Sequence, residues 1–432
     1  MNYFSLNGIS PPVDFKQALY NGMAPDGSLY FPDKIPRLSP SWLKTYKGME
    51  KAQIAFDVML PFTGSAIPEE ELYRICEETC SFDFPLHPVQ DSISSLELYH
   101  GPTMAFKDVG ARFMSRCLSW FVRQENRRVT VLVATSGDTG AAVANGFAGM
   151  DGIDVVVLYP SGKVSRFQEL QMACGLKNVH ALEVNGNFDD CQRMVKEAFA
   201  DTDLRSRKFI TSANSINIAR WLPQQIYYFL ALKAWPFADS PVISVPSGNF
   251  GNLCAGLMAQ VSGLPVRHFI AACNSNKVFT HYLESGNYSP APAVNTISSA
   301  MDVGDPSNFS RILELFQKSH ERLCEKISSI SVNDHTTAET LWAVNKNSDY
   351  LMDPHGAVAF FALKMYLDEH PGEKGIFLET AHPAKFGEVM ECITGIPVVL
   401  PERMKKIMAG EKQSIFIQPV YKSLKDFLLG GF

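Results

Sequence analysis

The sequence predicts an α/β protein in which parallel sheet strands are joined by crossover helices, preceded by a mainly helical region. Two observations lead there. Short apolar runs rich in β-branched residues recur, each followed by a glycine-containing loop and then a helix-like segment, which is the signature of strand, loop and crossover helix. The first 80 or so residues lack that texture and alternate turn clusters with helical periodicity. The length, 432 residues, fits about three domains at roughly 150 residues each.

The N-terminal region carries the turn Ala24-Pro25-Asp26-Gly27 and helical patterns over residues 41–60 and 69–80. From about Leu96 the α/β grammar begins. Residues 129–134, Val-Thr-Val-Leu-Val-Ala, lead through Thr135-Ser136-Gly137-Asp138-Thr139-Gly140 into a helical run over 141–147. The same order recurs at 241–246, 247–252 and 253–261, and again where 375–379 precedes Thr380-Ala381-His382-Pro383. Between these units, residues 189–200 place Cys191, Met194, Val195, Ala198 and Phe199 at helical spacing, the pattern of a surface helix with one packed face. Residues 285–310, rich in Pro, Ser, Asn and Ala, read as a long loop, a class that is functional or mobile in a compact domain.

Composition excludes several functions. Charged residues make up 19% of the chain and apolar residues 46%, the balance of a compact body rather than a disordered one. Lys plus Arg number 39 against 45 Asp plus Glu, a net charge of −6, and no basic stripe occurs, so a nucleic-acid partner is not expected. Nine scattered cysteines with no C-x-x-C spacing read as reduced thiols, not a disulfide framework or zinc ribbon. The apolar runs are strand-length, below the roughly 20 residues of a membrane span, and the N-terminus lacks a signal-peptide pattern. A cytoplasmic protein without membrane contact is expected. No H-E-x-x-H, G-x-S-x-G, G-x-G-x-x-G or P-loop segment occurs, and no metal is expected.

Five segments are suited to chemistry, each with a plainer alternative. Gly248-Asn249-Phe250-Gly251-Asn252 lies between a strand and a helix, where free N–H groups and the helix dipole receive anions; it also suits a tight turn with no ligand. The loop 135–140 offers hydroxyls and N–H groups to a carboxylate or phosphate, or simply caps its helix. Lys107 begins a helical pattern at the dipole's positive end, where a lysine is electrostatically disfavoured and its pKa is lowered, as an attacking amine requires; the alternative is a surface lysine paired with Asp108. Asn214-Ser215-Ile216-Asn217-Ile218-Ala219-Arg220, and Lys163 beside Gly162, are suited to gripping an anion or to capping and salt bridging.

In their order along the chain, these segments resemble a known family. His100-Gly101-Pro102-Thr103-Met104-Ala105-Phe106-Lys107-Asp108, residues 135–140, residues 247–252 and Glu379-Thr380-Ala381-His382-Pro383-Ala384-Lys385-Phe386 are similar to the threonine synthases, fold-type II pyridoxal-phosphate enzymes. Gly22-Met23-Ala24-Pro25-Asp26-Gly27-Ser28-Leu29-Tyr30 resembles their N-terminal domain, so the likeness spans nearly the whole chain. Residues 301–309 also resemble a family segment, without an assigned role.

The resemblance implies an α/β fold of two open parallel or mixed-sheet lobes with flanking helices, related to the tryptophan synthase β subunit, plus the N-terminal domain. The expected spans are 1–90, then 91–240 with the cofactor lysine and substrate loop, then 241–432 with the cofactor phosphate site. It implies pyridoxal 5'-phosphate as cofactor and Lys107 as the amine that joins its aldehyde and then moves substrate protons. Gly248, Asn249, Phe250, Gly251 and Asn252 would cradle the cofactor phosphate, Thr380 would face the pyridine nitrogen, and Asp138 occupies the loop that faces the phenolic oxygen. Ser136, Gly137 and Thr139 would take the substrate carboxylate, and Ser215, Asn217, Arg220 and Lys163 the phosphate of O-phospho-L-homoserine. The implied activity is that of a lyase of threonine biosynthesis, releasing phosphate and adding water, in a monomer or homodimer. Two alternatives accompany it: another fold-type II lyase or synthase, and a homologue that binds a phospho-amino acid without turnover.

Overall fold

Three sheets organise the chain, and the computed structural model describes residues 1–173 and 175–431 of it. Cys174 lies outside the described residues; the eight other cysteines are free. Among the described residues no helix is long and apolar enough to cross a membrane, and no cluster of metal-ligating side chains occurs.

The N-terminal region is mostly helical, with helices Phe15–Asn21, Pro40–Thr45, Lys51–Thr63 and Glu69–Thr79. The helix expected over 41–60 is two helices, divided by a short turn at Tyr46–Gly48. The sequence reading missed an antiparallel ribbon in which Tyr3–Ser5 pairs with Tyr30–Pro32. Three-residue strands are too short to show a period of two, yet Tyr3 and Tyr30 are fully buried.

A six-stranded sheet runs in the order Ile327–Ser331, His268–Cys273, Val242–Pro246, Gly375–Glu379, Ile93–Glu97, Leu86–Gln90. All its pairings are parallel except the last, which closes the edge as an antiparallel hairpin. A five-stranded parallel sheet runs in the order Ser414–Ile417, Val179–Val184, Ile153–Pro160, Val129–Ala134, Ile210–Ser212. Its strand Val129–Ala134 is buried at every position, the continuous apolar run expected where helices cover both faces.

The lobes therefore do not follow the contiguous spans 91–240 and 241–432. Ile93–Glu97 pairs with Gly375–Glu379 in the larger sheet, and Ser414–Ile417 returns to pair with Val179–Val184 in the smaller one. Composition shows that a segment is a strand, whereas its partner is chosen by packing across hundreds of residues. The helix Lys107–Glu125 leaves the larger sheet and packs on the helix Asp138–Phe147 of the smaller. Gly146 permits that approach, since a Cβ there would lie 3.2 Å from the Ala111 carbonyl carbon and oxygen.

The expected loop 285–310 is shorter and more anchored than its composition suggests. The helix Val278–Ser285 enters it, a turn at Ser299–Met301 interrupts it and the helix Phe309–Leu315 leaves it. The Asp302 carboxylate accepts from Asn274 Nδ2 at 2.9 Å, Asn276 Nδ2 at 3.1 Å and Thr296 Oγ1 at 2.7 Å, which ties the loop to a strand end.

Candidate active site

Parallel strands of an α/β sheet end at a common edge, and ligands bind beyond their carboxyl ends. Lys107, Thr135, Ser215, Ser247 and Thr380 all follow such strand ends, although they are widely spaced in the chain.

Lys107 is the first residue of its helix and no side chain caps that helix start. The loop before it is clamped from three sides. Phe106 N–H donates to the Thr380 carbonyl at 2.9 Å, Ala105 and Ala381 form an isolated bridge, and the Tyr227 hydroxyl donates to the Phe106 carbonyl. Asp108 does not pair with the lysine. Its carboxylate accepts from Thr103 N–H at 2.9 Å and from Thr103 Oγ1 at 2.5 Å, which rules out the plainer reading of Lys107.

Lys107 Nζ lies 3.8 Å from Asp138 Oδ2, and its side chain is 18% exposed. Burial lowers its pKa, Asp138 opposes that, and the charges of Lys385 and Arg220 lower it further. Asp138 Oδ1 receives Lys385 Nζ at 2.5 Å and Gln168 Nε2 at 2.8 Å. Burial would raise the Asp138 pKa, but Lys385 and Lys107 prevail and hold it well below the usual carboxylate range. Lys385, whose side chain is fully buried, also donates to the Thr103 carbonyl at 3.1 Å.

The loop 135–140 both caps its helix and keeps donors free. Thr135 Oγ1 accepts from Gly137 N–H and Gly140 N–H, each at 2.9 Å. Among the described residues no protein group accepts from the N–H of Asp138 or Thr139 at the helix start. Gly137 has φ 138°, and Ser136 is exposed at the rim. Thr380 is buried behind this group, and its hydroxyl makes no hydrogen bond to protein among the described residues.

The second cluster is the loop 247–252. Phe250 occupies the left-handed region at φ 60° and starts the helix Gly251–Val261, while its ring packs on Phe279 with centroids 4.6 Å apart. The N–H groups of Gly251, Asn252 and Leu253 have no protein acceptor among the described residues. Asn252 Oδ1 accepts from the Tyr228 hydroxyl at 2.8 Å, whereas its buried Nδ2 has no partner among the described residues. Ser215 joins this cluster through Asn308, whose Nδ2 is 3.4 Å from Ser215 Oγ.

Of the residues expected to hold a substrate phosphate, Arg220 lies against the helix of Lys107. A Cβ on Gly110 would sit 3.2 Å from Arg220 Nε, and that buried Nε has no hydrogen-bond partner among the described residues. Burial brings the Arg220 pKa down to about 10. Asn217 does not belong with it. Its Oδ1 caps the helix Ile218–Trp221 by accepting from Ala219 N–H at 3.0 Å, and its Nδ2 donates to the Leu19 and Ser212 carbonyls at 2.9 Å each. With every polar atom engaged and no exposure, Asn217 is a structural tie. Lys163 stands exposed in the turn after the strand Ile153–Pro160, and its side chain makes no hydrogen bond or ion pair among the described residues.

Sequence reasoning missed Lys385, Asp353 and His355. Asp353 Oδ1 accepts from His355 Nδ1 at 2.7 Å and its Oδ2 from Ala381 N–H at 3.1 Å, so a buried pair supports the backbone beside Thr380. His355 Nε2 accepts from Ala300 N–H at 3.2 Å, which places the ring proton on Nδ1. Lys385 lies in the segment 379–386, but a lysine after Pro-Ala carries no sequence signal that distinguishes a buried partner of Asp138 from a surface cation.

Residues 95–378 match the family described as pyridoxal-phosphate dependent enzyme, residues 2–80 the threonine synthase N terminus, and residues 356–428 the threonine synthase C-terminal family. The threonine synthase of Haemophilus influenzae is 43% identical over 427 residues, covering 97% of this chain and 98% of its own. The crystal structure of threonine synthase from Escherichia coli superposes with a TM-score of 0.93 at 38% identity, covering 100% of both chains. The crystal structure of pyridoxal-phosphate-bound threonine synthase from Brucella melitensis gives a TM-score of 0.92 at 33% identity, covering 99% of this chain and 98% of its own.

Proposed function

The chain belongs to the threonine synthase family of pyridoxal-phosphate-dependent enzymes, and from that premise we propose that it converts O-phospho-L-homoserine and water to L-threonine and phosphate with Lys107 as its catalytic base. The observation that carries this reading is the position of Lys107 Nζ, 3.8 Å from an ionised Asp138 and beside the segment that bears Thr380.

The residues present fit the cofactor. Free N–H groups at the start of the helix Gly251–Val261, with the Asn252 Nδ2 that has no partner among the described residues, suit its phosphate. The unpaired hydroxyl of Thr380 suits its ring nitrogen, and Lys107 suits its aldehyde. When bound, pyridoxal phosphate draws electron density from the attached amino acid and makes protons on the substrate carbons removable.

The chain's own groups then divide the work. Ser136, Gly137 and Thr139, with the free N–H groups of the helix start, hold the substrate carboxylate. Arg220 and Ser215 hold the phosphate. Lys107 takes protons from Cα and Cβ, the Cγ–O bond breaks as phosphate leaves, and Lys107 returns protons to Cγ and Cα while water adds at Cβ. Its lowered pKa keeps the amine available as a base. Asp138, fixed by Lys385 and Gln168, stabilises the ammonium form during each transfer. Because Lys385 neutralises Asp138, the carboxylate can stand near the phenolic oxygen with its repulsion offset. Cytoplasmic action as a monomer or homodimer completes the reading, and the eight free cysteines support that compartment.

Incubating the holoenzyme with O-phospho-L-homoserine tests it. Phosphate and threonine are expected in equal amounts. Binding without either product, or phosphate with 2-oxobutyrate in place of threonine, would overturn the reading.

A further inference from the structure

Residues 301–309 wrap the loop 247–252 from outside. A Cβ on Gly248 would lie 2.7 Å from Met301 Cα. Ser307 presents its N–H to Asn249 Oδ1 at 3.1 Å and its hydroxyl at 3.2 Å, and Asn308 Nδ2 donates to the Asn249 carbonyl at 3.0 Å. The same amide nitrogen would be 3.4 Å from a Cβ on Gly251, at the first turn of the helix with free N–H groups.

Asn308 in turn rests on Arg311, whose Nη1 donates to Asn308 Oδ1 at 2.8 Å. Arg311 is fully buried. Its Nε donates to the Tyr30 carbonyl at 3.1 Å and its Nη2 to the Ile216 carbonyl at 2.6 Å, and the guanidinium carbon lies 4.4 Å from the centre of the Trp221 ring. Every partner is neutral, and Arg311 makes no ion pair among the described residues. A buried guanidinium without a counter-charge is costly, because its Coulomb attraction to an anion is what offsets desolvation. The loop 247–252 has the opposite deficit: no charged side chain occurs in it, although on the reading above it holds a phosphate.

We propose that Arg311, acting through the amide of Asn308, is the positioning residue that supplies the positive charge balancing the cofactor phosphate at residues 247–252. The proposal rests on the assignment of that loop as the phosphate site. The guanidinium orients Asn308 through its Oδ1, Asn308 fixes the Asn249 carbonyl, and the helix N-terminus is held facing the anion with a cation behind it. Ser307 and Met301 keep the loop pressed against this support.

The test compares the dissociation constants of pyridoxal phosphate and of pyridoxal for the full-length protein, measured by absorbance titration. Their ratio reads the worth of the phosphate group alone. Arg311→Met and Asn308→Asp are each expected to shrink that ratio about tenfold or more, the scale of one charge-assisted contact. Arg311→Lys, which keeps the charge, is expected to retain most of it. A purely structural role would weaken both ligands alike, so an unchanged ratio in either variant overturns the proposal. If Arg311→Met does not fold, Asn308→Asp, which keeps an oxygen for Arg311, decides alone. Asn252→Asp separates the two levels. If its ratio also stays unchanged, the loop is not the phosphate site; if it falls while the other two do not, only the role of Arg311 fails.

Discussion

Lys385 and Asp138 form a buried ion pair, Nζ to Oδ1 at 2.5 Å, and the other Asp138 oxygen lies 3.8 Å from Lys107. One carboxylate thus serves two lysines of unlike duty. Lys385 keeps Asp138 charged and oriented, and adds repulsion that lowers the Lys107 pKa alongside the larger effect of burial. A reactive amine is prepared by its neighbours as much as by its own position.

Lys385→Met is predicted to act on both partners. Breaking a buried pair leaves Asp138 with only one cation and costs about 3–5 kcal/mol, which urea denaturation of the cofactor-free protein measures. The Lys107 pKa rises as the repulsion disappears. The pH at which reconstitution with pyridoxal phosphate reaches half its maximal rate therefore moves upward relative to the unmodified chain.

Glu379→Gln is predicted to stabilise the protein in a pH-dependent way. Burial, followed by the charge of Asp353, raises the Glu379 pKa well above its usual value, and its Oε1 has no hydrogen-bond partner among the described residues. A carboxyl with a raised folded-state pKa contributes fully below its unfolded value of about 4.3 and loses that contribution as pH rises toward the folded value. The isosteric amide has no such loss. Its advantage should grow by about 1.4 kcal/mol per pH unit above pH 5, read as the difference in urea stability between the two proteins at successive pH values.

Asn217 and Arg220 are predicted to separate folding from recognition. Asn217→Ala removes a helix cap and two ties to backbone carbonyls, a loss of about 2 kcal/mol, with KM for O-phospho-L-homoserine unchanged. Arg220→Met is predicted to lower kcat/KM for that substrate roughly 10–100-fold, the worth of charged hydrogen bonds, and to spare an unphosphorylated analogue. Steady-state kinetics with both substrates checks this.

The alternation of strand, loop and helix could be read from residues alone, and so could the places where a candidate site stands out, for physical reasons that also mark the boundary. Lys107 is conspicuous because a lysine at a helix start is electrostatically misplaced, and residues 247–252 because glycines between a strand and a helix leave N–H groups open. Lys385, Asn308 and Arg311 act through partners far away in the chain, so nothing local distinguishes them from surface residues. Asn217 carried a misleading signal, since the amide that suits an anion suits a helix cap equally well. The pairing of Ile93–Glu97 with Gly375–Glu379 was hidden for the same reason as Lys385: it is a long-range choice.

Lys107, and not its buried neighbour Lys385, is predicted to carry the cofactor. Borohydride reduction of the holoenzyme followed by peptide mapping tests it most directly. One pyridoxyl group per chain, on Lys107, is the expected result. A pyridoxyl group on Lys385 or any other lysine, or none at all on a protein that binds pyridoxal phosphate, would contradict it.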